Sequence, residues 1–317
     1  MTTFLTSAAI GERETLADVI YRIDPDETPF FSAVKKETSN GIFTEWQTQE
    51  LAAASGTNYV NEGADASITA ATATVRLGNY HQISVKTAAV SKTLETVDKA
   101  GRDSEIAYQK LLKSLELRRD IEKSITDTNV ARSGSDPRKS ASLITWISNG
   151  DKPSDMAFAS GGNGTAAADL TGTSRALTLA QIETSMQAAW NDGGNPKMML
   201  SSAANRANFS DLSASGNLVS NDVNMTAAKE VTYVGSTSVF LTDFGTLEVA
   251  PSRFMGDDKV FLIDPDFASL CTLNGRNFAE NEISATGDAE KFQLVTEWSL
   301  KVLAPKAHAA VIGLSGS

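Results

Sequence analysis

The chain has a single cysteine, Cys271, in 317 residues. That excludes an internal disulfide framework and points to folding in a reducing interior. No apolar run approaches the roughly 20 residues needed to cross a membrane. The first residues, MTTFLTSAAIGERE, lack the basic opening and long apolar core of a secretory signal. Positive charge is short as well: 28 Lys and Arg face 39 Asp and Glu, for a net charge of −11. A nucleic-acid binder needs a concentrated basic surface, so this balance argues against one. The basic pairs Lys35-Lys36, Arg118-Arg119 and Arg138-Lys139 are small and scattered, and read as solvated or ion-paired side chains.

The raw material of catalysis is equally scarce. The two histidines, His81 and His308, fall in expected strands with no Cys or carboxylate at metal-ligand spacing, so structural polar contacts are their expected role. Cys271 has no basic neighbour in sequence and reads as a small buried apolar residue. Gly161-Gly162-Asn163-Gly164 lacks the Lys and Ser/Thr of a phosphate loop and reads as a flexible loop. The terminal GLSGS has the wrong spacing for a nucleophile elbow. Turn geometry explains Asp257-Asp258 and Asp264-Pro265-Asp266 better than a weak cation site does. The expectation is no catalytic residue, no cofactor and no metal.

What the chain does have is a hydrophobic content of 41% and a charged content of 21%, the balance of a soluble globular protein with room for two or three domains. Its strongest local signal is DSEIAYQKLLKSLELRRDIEKSITDT, residues 103–128, built from strong helix formers, with Asp103 or Ser104 as the cap. Around that helix, Glu105, Gln109, Lys113, Glu116, Asp120 and Lys123 share a polar arc. Tyr108, Leu111, Leu112 and Leu115 form a wide apolar stripe, with Ala107 and Ile125 at its margin. Ile106, Leu117 and Ile121 form a second strip on the other flank. A helix apolar on two flanks lies between two things.

Before it, residues 1–40 read as an arm: a short helical patch, ERETLADVIYRI, then a linker whose Pro25 and Pro29 prevent a continuous helix, then Phe30 and Phe31. Those two rings either plug their own core or cross to a neighbour. Residues from Gly41 to about Val85 read as strand, small-residue loop, strand, an excursion too thin to be stable alone in water. After the helix, Ala131–Arg175 reads as an insertion-like loop. A helix capped by Thr178 with Gln181 three residues on should follow, then a short strand at Met198–Leu200 and a helix capped by Ser201 or Ser202 through Leu212. Short strands are expected at Val231–Val234, Ser238–Thr242, Gly245–Ala250 and Val260–Ile263. The clearest alternation places Leu294, Thr296, Trp298, Leu300 and Val302 on one face of a closing strand, with His308–Leu314 returning as the last. The long helix is expected to cover the Trp298 face.

That order of segments resembles the Hong Kong 97-type major capsid proteins of tailed phages. The residues that carry it are Thr28-Pro29-Phe30, Tyr80–Ile125, TDFGTLEVAPSRFM (Thr242–Met255), the Ala285-Thr286-Gly287-Asp288 turn and EWSLKVLAPKAHAAVIGL (Glu297–Leu314); across 131–235 the match is loose. The resemblance implies an α+β fold with an N-terminal arm (1–40), an extended E-loop (41–88), a peripheral domain with a spine helix (89–135 and 285–317) and an axial domain (136–284). It implies a virion shell protein, assembled in the host bacterial cytoplasm into hexamers and pentamers. The implied partners are a portal, a decoration protein and genome DNA enclosed without sequence-specific binding, with no membrane. Only about 30 residues precede the TPFF motif, so a separate scaffold protein is implied, and both chain ends are expected to be held by partners. No lysine stands between Lys36 and Lys86, so the lysine cross-link of the family prototype is not expected. The assembly-interface candidates are Phe30, Phe31, Trp46, Tyr59, Arg76 and Tyr80. A head decoration or surface-layer protein is the alternative; an enzyme would need a nucleophile and base that no pair here proposes.

Overall fold

The structure, a computed structural model, describes residues 25, 27–66, 68, 70–99, 101–215, 239–284 and 287–316. The helical patch expected at 12–23, the strand expected at Val231–Val234 and half of the 285–288 turn lie outside them. The helices are α1 (Pro29–Ala33), α2 (Lys92–Thr96), α3 (Glu105–Thr126), α4 (Leu179–Asn191) and α5 (Ala203–Ser215). The strands are β1 (Lys35–Ser39), β2 (Phe43–Thr48), β3 (Val75–Tyr80), β4 (Gln82–Ser91), β5 (Gly150–Asp151), β6 (Met198–Ser201), β7 (Val239–Thr242), β8 (Gly245–Pro251), β9 (Lys259–Ile263), β10 (Ala268–Leu273), β11 (Ala279–Ile283), β12 (Ala289–Val302) and β13 (Ala309–Ile312).

Strand β12 is the axis of the first sheet. One edge pairs with β4 from Ala289↔Ser91 to Trp298↔Gln82. The other edge takes β11 and then β10, and β1 adds in parallel beyond β10. The 22-residue helix α3 lies on this sheet. Ser104 caps it, accepting the Ala107 amide at 3.2 Å. The Glu95 carboxylate takes the amides of Glu105 (2.9 Å) and Ile106 (3.4 Å), placing negative charge at the positive end of the helix dipole. Its narrow apolar strip does most of the packing: Leu117 clusters with Phe292 and Leu294, and Ile121, with Ile125 from the margin of the wide stripe, joins Trp298 and Leu300 in the main core. The wide stripe does not; Leu111 is 54% exposed, and Tyr108, Leu112 and Leu115 are only half-buried.

The second sheet runs β5-β13-β9-β6-β8-β7. One face is covered by α4 and α5, whose Ile182, Met186, Ala189 and Phe209 cluster with Met199, Leu247, Val260, Leu262 and Val311. The capping box expected at Thr178 and Gln181 starts α4, with Gln181 N–H on Thr178 Oγ1 and Thr178 N–H on Gln181 Oε1. The other face, with Leu200, Phe261, Ile263, Ala310 and Ile312, belongs to the same buried cluster as Leu270, Trp298 and Leu300 of the first sheet.

Between the sheets lies the stretch expected to be an insertion-like loop. Leu143, Ile144, Trp146 and Ile147 within it are completely buried. Gly164, at φ +74, would drive a Cβ to 2.7 Å from the Trp146 ring, and its amide donates to Thr145 O at 3.1 Å. Gly161–Gly164 is therefore a packed crossing rather than a loose loop. Its glycine-rich composition reflects close backbone approach to an indole.

Sheet membership cuts across the segment boundaries read from sequence. Strand β1, within the expected arm, and β4, which runs past the expected end of the excursion, both join the β12 sheet, as do β10 and β11 from within 136–284. Strand β13, from the closing segment, pairs with β9 in the other sheet.

Candidate assembly surfaces

Three features set the subunit apart from a self-contained globule: an anchored arm end, a rooted excursion and the surface that excursion exposes. The first is built around Thr28-Pro29-Phe30-Phe31. Proline begins α1, where its missing N–H costs nothing, and Thr28 makes no side-chain cap. The cap comes instead from α3. Glu122 Oε1 accepts the Phe30 amide at 3.0 Å and Oε2 accepts the Phe31 amide at 2.7 Å. Phe30 is completely buried beneath this contact. Two cations lie over the Phe31 ring, Lys36 Nζ at 4.1 Å and the Arg118 guanidinium at 5.1 Å from its centroid, a favourable placement for an aromatic face. Lys36 Nζ also donates to the carbonyls of Phe31 and Val34, and Arg118 Nη2 to Thr28 Oγ1 at 3.3 Å. Burial raises the Glu122 carboxyl above its ordinary value, against the pull of the two amides, Lys36 and Arg118. Burial and the neighbouring Arg118 lower Lys36 to about 8.

The second feature is the root of the excursion, β2 paired with β3. Trp46 stacks at 5.4 Å on Trp146 of the inter-sheet segment, and Leu77 is buried beside it in the main core. Asn79 closes the root. Its Nδ2 donates to Leu300 O (2.7 Å) and Ser140 Oγ (3.0 Å), and its Oδ1 accepts the amides of Tyr80 and Ala141, both at 3.0 Å. His81 is completely buried, with Nε2 bonded to Ser39 Oγ (2.9 Å) and Thr44 Oγ1 (2.8 Å). His308 is equally buried, and its Nδ1 accepts the Asp264 amide at 3.3 Å. Both histidines make structural polar contacts. Asp264, in turn, accepts the Asp266 amide in a 3-10 turn, the turn role expected for that motif.

The third feature is the far end. Every described residue from Gln49 to Arg76 is exposed. Leu51 is 98%, Ile68 95%, Val60 84% and Tyr59 81% exposed.

The six interface candidates therefore separate. Phe30 and Trp46 sit in the chain's own core, at 0% and 9% exposure, so neither ring is left to anchor a neighbour; core packing uses them first. Phe31 and Tyr80 are half-buried, Tyr80 against Phe43 at 4.4 Å. Arg76 is exposed and pairs with Glu45 across the hairpin at 3.3 Å. Tyr59 is free at the far end. The contacts that sequence reasoning missed are polar: Glu122, Asn79, and Glu297, a 3%-exposed carboxylate held by Arg138 at 2.6 Å and Arg276 at 2.8 Å. Only Glu122 left a trace, as a carboxylate seven residues beyond Leu115 on the same helix face.

The sequence matches the SU10 major capsid protein family over residues 1–315. A curated relative, the major capsid protein of Escherichia phage Phieco32, is 36% identical over 122 residues, 38% of this chain and 35% of the relative, so the match spans about a third of that relative's length. Among solved structures, the capsid of cyanophage A-1(L) superposes with a TM-score of 0.66 over 98% of both chains at 11% identity. The capsid of a native GTA particle does so at 0.63 over 96% of both, again at 11% identity. At such identities the likeness establishes the fold, which is the Hong Kong 97-type α+β capsid fold. With the family match running from the first residue almost to the last, the chain belongs to the SU10 major capsid protein family.

Proposed function

We propose that the chain is the repeating subunit of a tailed-phage head shell, closing into hexamers and pentamers around the genome. In this reading the β12 sheet with α3 forms the peripheral unit, and the second sheet with α4 and α5 forms the axial unit at capsomer centres. Residues 49–74 reach over an adjacent subunit. The observation that carries the reading is the exposed tip. Four large apolar side chains on an excursion with no core of its own leave a surface that water disfavours and a neighbour would cover. In this reading the exposed Tyr59 and Arg76 meet that neighbour, while the half-buried Phe31 and Tyr80 remain secondary candidates. Single contacts of this kind are weak, and the closed lattice makes them stable by multiplicity.

The partners that fit this reading are a separate scaffold protein, a portal and a decoration protein, with assembly in the host cytoplasm. The net charge of −11 suits a wall that encloses DNA without gripping it. The test is electron microscopy of the protein produced alone and with its scaffold. Closed shells or capsomer rings are expected. A stable monomer under both conditions, with no polymer at high concentration, overturns the reading in favour of a decoration protein that needs a pre-made lattice. Because residues 37–85 contain no lysine, mature particles should run on a denaturing gel without a ladder of linked subunits.

A further inference from the structure

One face of α3 changes character along its length. In its C-terminal half the face carries Glu122, Arg119 and Arg118, and all three hold the chain leading into α1. Glu122 takes the Phe30 and Phe31 amides, Arg118 bonds Thr28 Oγ1, and Arg119 Nη1 donates to Pro25 O at 3.3 Å. From Phe30 back to Pro25 the contacts step from Glu122 to Arg118 and Arg119. The arm therefore runs beside α3, toward that helix's N-terminus. At 100° per residue the same face continues through Leu115, Leu112, Leu111 and Tyr108. This is the wide apolar stripe that the β12 sheet leaves uncovered, with Leu111 54% exposed.

The chain ahead of Pro25 has the right pattern and length to fill it. In ERETLADVIYRI, Leu16, Val19, Ile20 and Ile23 recur at helical spacing, with Glu14, Asp18 and Arg22 on the opposite side of the turn and Glu12 and Arg13 at the segment's start. As a helix, residues 12–23 span about 18 Å, and the run of α3 from Arg119 back to Tyr108 spans about 16.5 Å. A single residue, Asp24, separates this segment from Pro25, and a residue before proline is biased away from the helical region. Leu16 lies nine residues before Pro25 and Leu111 eight before Arg119, which brings the two to one level.

We propose that Glu12–Ile23 docks as an amphipathic helix on Tyr108, Leu111, Leu112 and Leu115 of the same chain. It extends the Glu122 anchor into a clasp along most of α3. The clasp forms within one subunit and does not depend on shell formation.

The test uses the full chain carrying Cys271→Ser, Leu16→Cys and Leu111→Cys, oxidised at low concentration. A disulfide within one chain, migrating as a monomer and located by mass spectrometry, is expected, while the control pair Leu16→Cys with Lys113→Cys on the polar arc stays reduced. A disulfide only between chains would mean a second copy supplies the segment, and overturns the proposal. So does equal linkage in the control pair, or none in either. Independently, Leu111→Glu should speed trypsin cleavage after Arg22 by about tenfold, since cleavage follows the open population, with the unfolding midpoint almost unmoved. An unchanged cleavage rate contradicts docking on this stripe.

Discussion

The Glu122 carboxylate accepts the backbone amide of Phe30 at 3.0 Å, across 92 residues of sequence. A side chain near the C-terminal end of α3 thus caps the helix that ends the arm, and the second oxygen repeats the contact with Phe31. The arm's end is fixed by polar contacts to α3 before any neighbour is considered.

Glu122→Ala should lower subunit stability by about 2–4 kcal/mol, because it strands two amide donors and leaves Lys36 and Arg118 without their counter-charge. Glu122→Gln keeps one acceptor and should lose roughly half as much. Urea unfolding of the three proteins checks the order; an alanine variant as stable as the parent would show that the carboxylate only offsets its own desolvation.

Phe30→Ala and Trp46→Ala should each cost about 3–5 kcal/mol of folding stability, the usual loss for a buried aromatic. Tyr59→Ala should leave folding within about 0.5 kcal/mol, as at other exposed sites, and reduce particle yield instead. Thermal unfolding and sedimentation of particles, measured on the same preparations, separate the two effects. A drop in yield for Phe30→Ala without any loss of melting temperature would return that ring to the interface.

How much of this was legible differs by element. Helix α3, the capping box of α4 and the alternation of β12 were readable because each rests on local periodicity or on one short motif. Strands β1, β10 and β11 were not. Lys35–Ser39 is polar and pairs at one edge of the β12 sheet, and Ala279–Ile283 reads AENEI, so neither has an apolar alternation to betray it. The Ala131–Arg175 segment misled for the opposite reason: its glycines and prolines signal turns, while the apolar run around Trp146 fills the space between two sheets. At the interface candidates, aromatic character alone could not tell Phe30, spent in the core, from Tyr59, left in water. That distinction depends on the apolar cluster that closes around Phe30 from distant parts of the chain.

Gly150→Ala should disrupt the closing edge of the second sheet. Gly150 sits at φ +132, and an added Cβ would lie 1.9 Å from Ala310 O, its pairing partner on β13. Backbone cannot yield as a flexible side chain would. The variant combines a strained conformation with a lost strand contact, for an expected cost of more than about 3 kcal/mol. Soluble yield and melting temperature report it, and a variant matching the parent in both would mean that β5 moves freely.

Acid should weaken the subunit through His308. Complete burial lowers this imidazole to about 4, although the Asp264 charge and the Phe267 carbonyl pull the other way. A histidine whose folded value lies below its unfolded 6.5 contributes stability that is fully present above 6.5 and lost as pH falls toward 4. At 1.36 kcal/mol per unit, that amounts to roughly 3 kcal/mol. His81 is also lowered by burial and adds loss of the same sign. Glu122 opposes both, because burial raises it and its protonation on the way down favours the folded chain. The His308→Asn variant isolates the term: its side-chain oxygen can accept the Asp264 amide as Nδ1 does, and it carries no proton equilibrium. Melting temperature should fall between pH 7 and 5 in the parent and fall distinctly less in the variant. Equal slopes in the two proteins would assign the acid sensitivity elsewhere.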